Sequence, residues 1–337
     1  MSEATVVNGA VLVTGGAGFI GSHVAEAYLA AEYEVTVLDD LSSGRRENVP
    51  DGARFVEADV RSAEARELLA NGEFTILNHH AAQVDVAYSV ADPVADVGVN
   101  VVGLLNVLEG ARAGHVTRIV LASSGAIYGQ DAALPIDESA PKLPVSPYGV
   151  AKLASEYYVT MYGLLYGIDT VVLRYSNVYG PRQDARGEAG VVAAFSHALV
   201  TGQPLTVYGD GAQTRDMIYV ADVAAANIAA SRCAVVPLTH VDARAYNIAT
   251  GAETTINHLA TALSDVAGRA ATLRHAPERQ GDIRRSALAA QKARRDLGWQ
   301  ARVSLIDGLP ATFRWVREER GRVGRRTAPG ATAARRR

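Results

Sequence analysis

Tyr148 and Lys152 stand four residues apart in Ser-Pro-Tyr-Gly-Val-Ala-Lys, with Pro147 at a plausible helix start. On a helix that spacing puts both side chains on one face. A lysine ammonium beside a phenol favours the phenolate. It lowers the tyrosine from its reference pKa of about 10 toward working pH and makes Tyr148 a usable general base. A Tyr-x-x-x-Lys pair occurs by chance on many helices, so its meaning depends on what else the chain supplies.

What it supplies is a glycine loop. Residues 14–21 read Thr-Gly-Gly-Ala-Gly-Phe-Ile-Gly, after an apolar run and at the start of a helical pattern. Gly15 permits the tight turn, Gly18 lets the backbone approach a pyrophosphate, and Gly21 lets the helix pack close to its strand. The free N–H groups of the first turn, with Phe19 and Ile20 in it, then face the phosphates. Reading from Gly16 gives the ordinary dinucleotide spacing as well. Asp39, followed by Asp40, ends the next run, 18 residues beyond Gly21. A carboxylate there accepts hydrogen bonds from ribose hydroxyls and repels a 2′-phosphate, which favours NAD over NADP. Arg45 and Arg46, just downstream, are the one feature that pulls the other way. Asp59 and Val60, after the third run, are expected to hold the adenine. Ser123-Ser124-Gly125 follows a buried run, and both hydroxyls are expected to point at the cofactor. Ser124 is placed to hydrogen-bond the substrate oxygen that Tyr148 deprotonates.

The elements that must position these residues follow from periodicity. Short apolar runs at Ala10–Val13, Glu34–Leu38, Arg54–Glu57, Thr75–Asn78, Arg118–Ala122 and Thr170–Leu173 alternate with helical segments such as Ser22–Ala31 and Val99–Ala113. That alternation predicts a doubly wound parallel α/β sheet covered on both faces. After Tyr179 glycines and prolines loosen the pattern, leaving isolated strands such as Leu205–Tyr208 and Tyr246–Ile248 in a smaller, interleaved substrate lobe. The expected division is 1–180 for cofactor binding with 210–250 interleaved, 181–316 mainly for substrate, and 317–337 as a disordered basic tail.

The 337 residues carry a net charge of −3, so no basic balance advertises nucleic acid or an anionic membrane. The charge is uneven, with eight arginines against two glutamates from Arg317 to Arg337. One cysteine, Cys233, leaves no internal disulfide framework or cysteine-based zinc site and fits a reducing cytoplasm. The N-terminus does not read as a signal peptide. The charge-free stretch Ala189 to Gly209 is too polar to span a membrane, so a soluble protein is expected. His79 and His80, adjacent on a strand, point to opposite faces and read as structural or cofactor-wall residues rather than metal ligands.

The whole set resembles the extended short-chain dehydrogenase/reductases and, within them, the UDP-glucose (UDP-galactose) 4-epimerases. The matching residues run from Ala10 to Trp315: the glycine loop, His79-His80-Ala81-Ala82-Gln83, Asn100, the Ser-Ser-Gly run and the Tyr148/Lys152 pair. Further on they include Arg174-Tyr175-Ser176-Asn177-Val178-Tyr179-Gly180-Pro181-Arg182, Gly209 to Asp216, Arg279-Gln280-Gly281-Asp282 and Leu297-Gly298-Trp299. The resemblance implies a Rossmann fold, bound NAD, a UDP-sugar substrate and a homodimer. By the same resemblance Tyr148 takes the sugar 4-hydroxyl proton while hydride leaves C4 for NAD⁺, the 4-keto sugar turns over, and hydride returns to its other face. Lys152 holds the nicotinamide ribose and Ser124 the hydroxyl. His80, Ala81, Ala82, Gln83, Asn100, Ser123 and Tyr175 would line the cofactor. Asn177, Val207, Tyr208, Arg215, Arg279 and Asp282 would line the nucleotide sugar.

Related dehydratases and decarboxylases carry acid/base residues where this chain has Gly125 and Ala126, so elimination lacks its proton carrier. A non-catalytic NAD-sensing regulator would be expected to have lost the Tyr/Lys pair. Ser286, at the family position that gates the space beside the sugar, is expected to leave room for UDP-N-acetylhexosamines. Arg284 and Arg285 hint instead at an acidic sugar such as UDP-glucuronate.

Overall fold

The computed structural model describes residues 8–130, 133–184, 190–278 and 283–326. The chain opens with β1 (Ala10–Thr14), α1 (Phe19–Ala30), β2 (Glu34–Asp39), β3 (Arg54–Glu57), α2 (Ala63–Asn71) and β4 (Phe74–His79). Then come α3 (Val86–Ala91), α4 (Pro93–Val97) and α5 (Leu104–Ala113), the last two joined by a π-helical turn over Gly98–Gly103. β5 (Arg118–Ser124), α6 (Pro147–Tyr166), β6 (Asp169–Tyr175) and the short β7 (Asn177–Tyr179) close the first half. The second half holds α7 (Val191–Thr201), β8 (Leu205–Tyr208), β9 (Thr214–Arg215), β10 (Met217–Tyr219), α8 (Val220–Arg232), β11 (Ala245–Ile248) and β12 (Thr254–Thr255). It ends with α9 (Ile256–Ala267), β13 (Leu273–Ala276), α10 (Gln291–Leu297) and α11 (Leu305–Arg326).

Seven strands form one parallel sheet in the order β11-β6-β5-β4-β1-β2-β3. This is the doubly wound Rossmann arrangement. Its order reverses between β1 and β4, which places a ligand crevice beyond the carboxyl ends of those strands. Alternation along β1 divides the core. Leu12 packs with Leu77, Leu104, Leu108 and Val159 on the face covered by α2, α5 and α6. Val11 and Val13 pack with Val24, Tyr28 and Val37 on the face covered by α1. Five of the sheet strands run one or two residues past their apolar runs, into Thr14, Asp39, His79, Ser124 and Tyr175. The ladder continues where the side chains turn polar, and those polar ends face the crevice.

The later segments return to the sheet: β11 pairs with β6, α8 packs on α1, and α10 packs on β11. A separate core built on Val192, Phe195, Leu205, Leu259 and Phe313 unites α7, β8, α9 and α11 in the smaller lobe. The expected tail boundary at 317 is corrected. α11 continues through Arg326, because Leu309, Phe313 and Val316 bury one face of it and Glu319 is ion-paired to Arg45. Residues 327–337 lie outside the described residues.

The run Pro93–Ala113 is long and apolar enough to cross a bilayer, at mean hydropathy 1.4. Here it is docked, with Leu104, Val107, Leu108 and Ala111 fully buried in the sheet-facing core.

Candidate active site

Pro147 begins α6, and the Ser146 side chain caps it by accepting from the Gly149 N–H at 3.1 Å. This first turn is pressed against the turn after β5: a Cβ on Gly149 would lie 2.8 Å from the Ala126 carbonyl oxygen. Close approach therefore seats the first turn of α6 on the turn that follows Ser124. The Tyr148 N–H donates to Ser89 Oγ at 3.2 Å, and Lys152 Nζ lies 5.9 Å from the Tyr148 ring centroid. Lys152 is buried and donates to the Ala122 carbonyl at 3.0 Å. Burial pulls its pKa down to about 8, against the opposing fields of Asp96 and Glu156, so it stays mostly charged at neutrality. Ser124 Oγ accepts from the Ala126 N–H at 3.1 Å, which leaves its own proton to donate.

Ser123 does not point at the cofactor crevice, contrary to expectation. Neighbouring residues on a strand face opposite ways, and Ser123 Oγ donates to Glu156 at 2.5 Å beneath α6.

The glycine loop is packed as a phosphate cradle. Gly15 lies at φ +67°, and a Cβ on Gly21 would stand 2.2 Å from the Gly15 carbonyl oxygen. α1 starts at Gly18 with no side-chain cap and no acidic residue in its first turn, so the N–H groups of Phe19, Ile20 and Gly21 are available to an anion. Asp39 is buried at the end of β2. Its Oδ2 accepts from the Ala17 N–H at 3.0 Å and its Oδ1 from the Leu41 N–H at 2.9 Å. Burial raises its pKa and these amides oppose the rise. Arg45 is ion-paired to Asp184 and Glu319, and Arg46 lies over the Phe55 ring at 4.5 Å. Both guanidiniums are engaged away from a 2′-phosphate, so the residues present fit NAD.

Other expected cofactor contacts divide. Ala81 N–H donates to Thr14 Oγ1 at 3.2 Å, holding Ala81 and Ala82 beside the loop. His79 is buried against Thr14 Oγ1 at 2.8 Å, and His80 Nε2 lies 3.1 Å from the Tyr175 hydroxyl, the two rings stacked. Burial holds both histidines at about 3, hence neutral. Gln83 and Asn100 belong to one hydrogen-bonded network with Asp96. Gln83 N–H donates to Asn100 Oδ1 at 3.0 Å, and both side-chain amides donate to Asp96 Oδ1, at 2.8 and 2.9 Å. Asp40 is spent on Ser42, and Asp59 is clamped by Arg61. Val60 is buried against α5 rather than open to an adenine.

On the substrate side, Asn177 is exposed at the start of β7. Arg215 Nη1 donates to the Ile283 carbonyl at 2.6 Å. Two other expected contacts are Arg279 and Asp282. Those two lie outside the described residues. Val207 is corrected: its side chain is fully buried in the lobe core and offers a ligand only backbone, while Tyr208 stays half-buried. Arg284 and Arg285 are paired with Asp210 and Glu253 in exposed ion pairs. Ser286 is half-buried.

Sequence reasoning missed two supports. Glu156 follows Lys152 by one turn and pairs with Arg174, both fully buried; the i, i+4, i+8 run Tyr148, Lys152, Glu156 was the available signal. Buried Asp216, next to Arg215, accepts from the Thr250 and Gly251 N–H groups at 2.9 Å each and the Leu288 N–H at 3.2 Å, tying the two lobes together.

A phosphate cradle, an acidic ribose end and a buried Tyr/Lys helix on a seven-stranded Rossmann sheet define an NAD-dependent enzyme of the extended short-chain dehydrogenase/reductase class. The model of the NAD dependent epimerase/dehydratase family matches residues 11–249, and the chain belongs to that family. It is 43% identical to the UDP-glucose 4-epimerase of Mycolicibacterium smegmatis over 314 residues, covering 91% of this chain and 98% of that one. Two solved structures are similar. One is the UDP-glucose 4-epimerase of Thermotoga maritima with UDP-glucose (TM-score 0.88, 40% identity, 92% and 99% covered). The other is that of Thermus thermophilus with NAD (TM-score 0.83, 43% identity, 91% and 99% covered).

Proposed function

We propose that the chain interconverts UDP-galactose and UDP-glucose at C4, with Tyr148 as the acid/base group. The carrying observation is the Tyr148/Lys152 pair on a helix whose first turn packs on the turn after Ser124, beside a carboxyl-end crevice whose Gly125 and Ala126 offer no second proton carrier. Bound NAD would take the C4 hydride and return it to the opposite face of the sugar. Ser124 donates to the reacting oxygen, Tyr148 removes and later restores its proton, and the Lys152 ammonium favours the phenolate between those steps. Gly15, Gly18, Phe19, Ile20 and Gly21 hold the cofactor pyrophosphate through backbone N–H groups, and Asp39 holds its adenosine ribose. Asn177, Arg215 and Arg279 hold the UDP diphosphate, for which arginine gives charge-assisted bonds.

The test is NMR of UDP-galactose with purified protein and no added NAD. UDP-glucose should appear, because the net reaction consumes no redox equivalents and retained NAD suffices. An unchanged spectrum would sink the reading. Ser286 favours a second substrate pair, the UDP-N-acetylhexosamines, since its small side chain leaves space beside the sugar.

We further propose a homodimer through α4, the π turn and α6. Val94, Val97 and Val102 are exposed on the first helical run, and Val150, Tyr157 and Leu164 recur every seven residues along one exposed face of α6. An apolar face of this kind is the ordinary mark of an interface. Sedimentation equilibrium should give twice 35.5 kDa, and Tyr157→Glu/Leu164→Glu should give a folded monomer. A monomeric parent would rule this out.

A further inference from the structure

The loop Gly180–Asp184, leaving β7, is strapped across the first two turns of α1. Arg182 lies at φ +69°, a left-handed backbone that a non-glycine residue keeps only where its surroundings hold it. The holders are visible. Its Nη1 donates to Ser22 Oγ at 3.0 Å, and its Nη2 is ion-paired with Glu26. One residue earlier, the Pro181 carbonyl accepts from His23 Nε2 at 3.0 Å. Across the cradle, Arg45 joins three parts of the chain. Its N–H donates to the Ala17 carbonyl at 3.0 Å within the glycine loop, Nη2 reaches Asp184 Oδ2 at 3.2 Å, and Nη1 reaches Glu319 Oε1 on α11 at 2.6 Å. The Arg45–Asp184 pair fastens the loop to the segment after β2, and the other ties land on the glycine loop, on the first two turns of α1, or on α11 of the smaller lobe.

We propose that Gly180–Asp184, fastened by Arg182 and Arg45, is a clasp that slows the departure of NAD between turnovers. The inference rests on NAD binding and not on the identity of the sugar. Each half-exposed ion pair is weak alone. A loop pinned on both flanks of the cradle holds the glycine loop and the start of α1 in place, however, and loosening them breaks the ties together, so their effects combine in the rate of escape. An enzyme that regenerates NAD⁺ within each cycle has use for such a clasp, because exchange gains it nothing.

Arg182→Gly keeps the backbone conformation and removes both side-chain ties; Arg45→Ala removes the ties from residue 45 to Asp184 and Glu319. NAD-loaded full-length protein is cleared of free NAD, diluted, and the NAD appearing in the filtrate is followed with no sugar present. Each variant should lose NAD about tenfold faster than the parent, by the combined weight of a few half-exposed pairs. The parent alone should speed up markedly at about 1 M salt, where screening reaches about 3 Å. Variants that release NAD at the parent's rate overturn the proposal. So does a lowered melting midpoint of the NAD-free variants with unchanged NAD release, which would make the loop merely structural. Because no sugar is used, a failure here is distinct from a failure of the epimerase reading.

Discussion

Tyr148→Phe should lower kcat for UDP-galactose by about 10²–10⁴-fold, the range a positioned acid/base group commands, with the melting midpoint unchanged. The substitution removes one oxygen and leaves the ring. The helix start survives it: Ser146 still caps Gly149, the residue-148 N–H still donates to Ser89, and Lys152 still donates to the Ala122 carbonyl. What disappears is the side chain beside Ser124 that both fits a proton transfer and has a cation on its own helix face to stabilise its anion. Stopped conversion in the NMR assay, with UDP-galactose still bound, is the expected result. Turnover within tenfold of the parent would move the base elsewhere. A regulator that only senses NAD would show no difference between parent and variant in its partner binding, which separates that class of function by the same substitution.

The Rossmann sheet was legible because its signal is local. Each strand core is a short apolar run, and each run between Ala10 and Leu173 became a strand of the sheet. What periodicity missed lies at the strand ends, where Thr14, Asp39, His79, Ser124 and Tyr175 extend the ladders with polar side chains. A pattern that stops at the last apolar residue stops one step short of the site. The Tyr148/Lys152 face was legible for the same local reason, since i, i+4 spacing needs only a helix. Ser123 was misread although strand alternation alone separates it from Ser124. Gln83, Asn100 and Asp59 gain partners, Asp96 and Arg61, and Val207 gains a place in the small-lobe core, none of which the glycine, tyrosine or strand patterns announce. The end of the chain reads as an arginine-rich tail by composition, yet Leu309, Phe313 and Val316 supply an apolar stripe that carries α11 on to Arg326.

Glu156→Ala should be the most destabilising single change around the site. Glu156 and Arg174 are both fully inaccessible, joined at 2.7 Å between Arg174 Nη2 and Glu156 Oε2 and again through Arg174 Nε at 3.0 Å. Removing the carboxylate strands a buried guanidinium with Asp242, the Tyr128 hydroxyl and the Glu138 carbonyl, and it leaves Ser123 without its acceptor. Breaking a buried pair from one side costs about 3–5 kcal/mol, which lowers the melting midpoint of a chain this size by roughly 4–7 °C. Calorimetry on the NAD-free protein reads it directly, and a loss below about 1 kcal/mol, the level of a surface pair, would show that the pair is not the anchor its burial indicates. Glu156→Met/Arg174→Met separates stability from placement. Asp242 then keeps Lys142 as its partner, and with neither charge of the buried pair left to desolvate, much of the lost stability should return, as it does when buried pairs are replaced by apolar side chains. Turnover should not return with it. Glu156 lies one turn beyond Lys152, adds its field to the one that opposes deprotonation of that lysine, and holds β5 to α6 through Ser123. Ser124 and Tyr148 sit on those same two elements, so a helix that regains its packing without this tie keeps its fold and loses the register between hydroxyl and phenol on which the proton transfer depends.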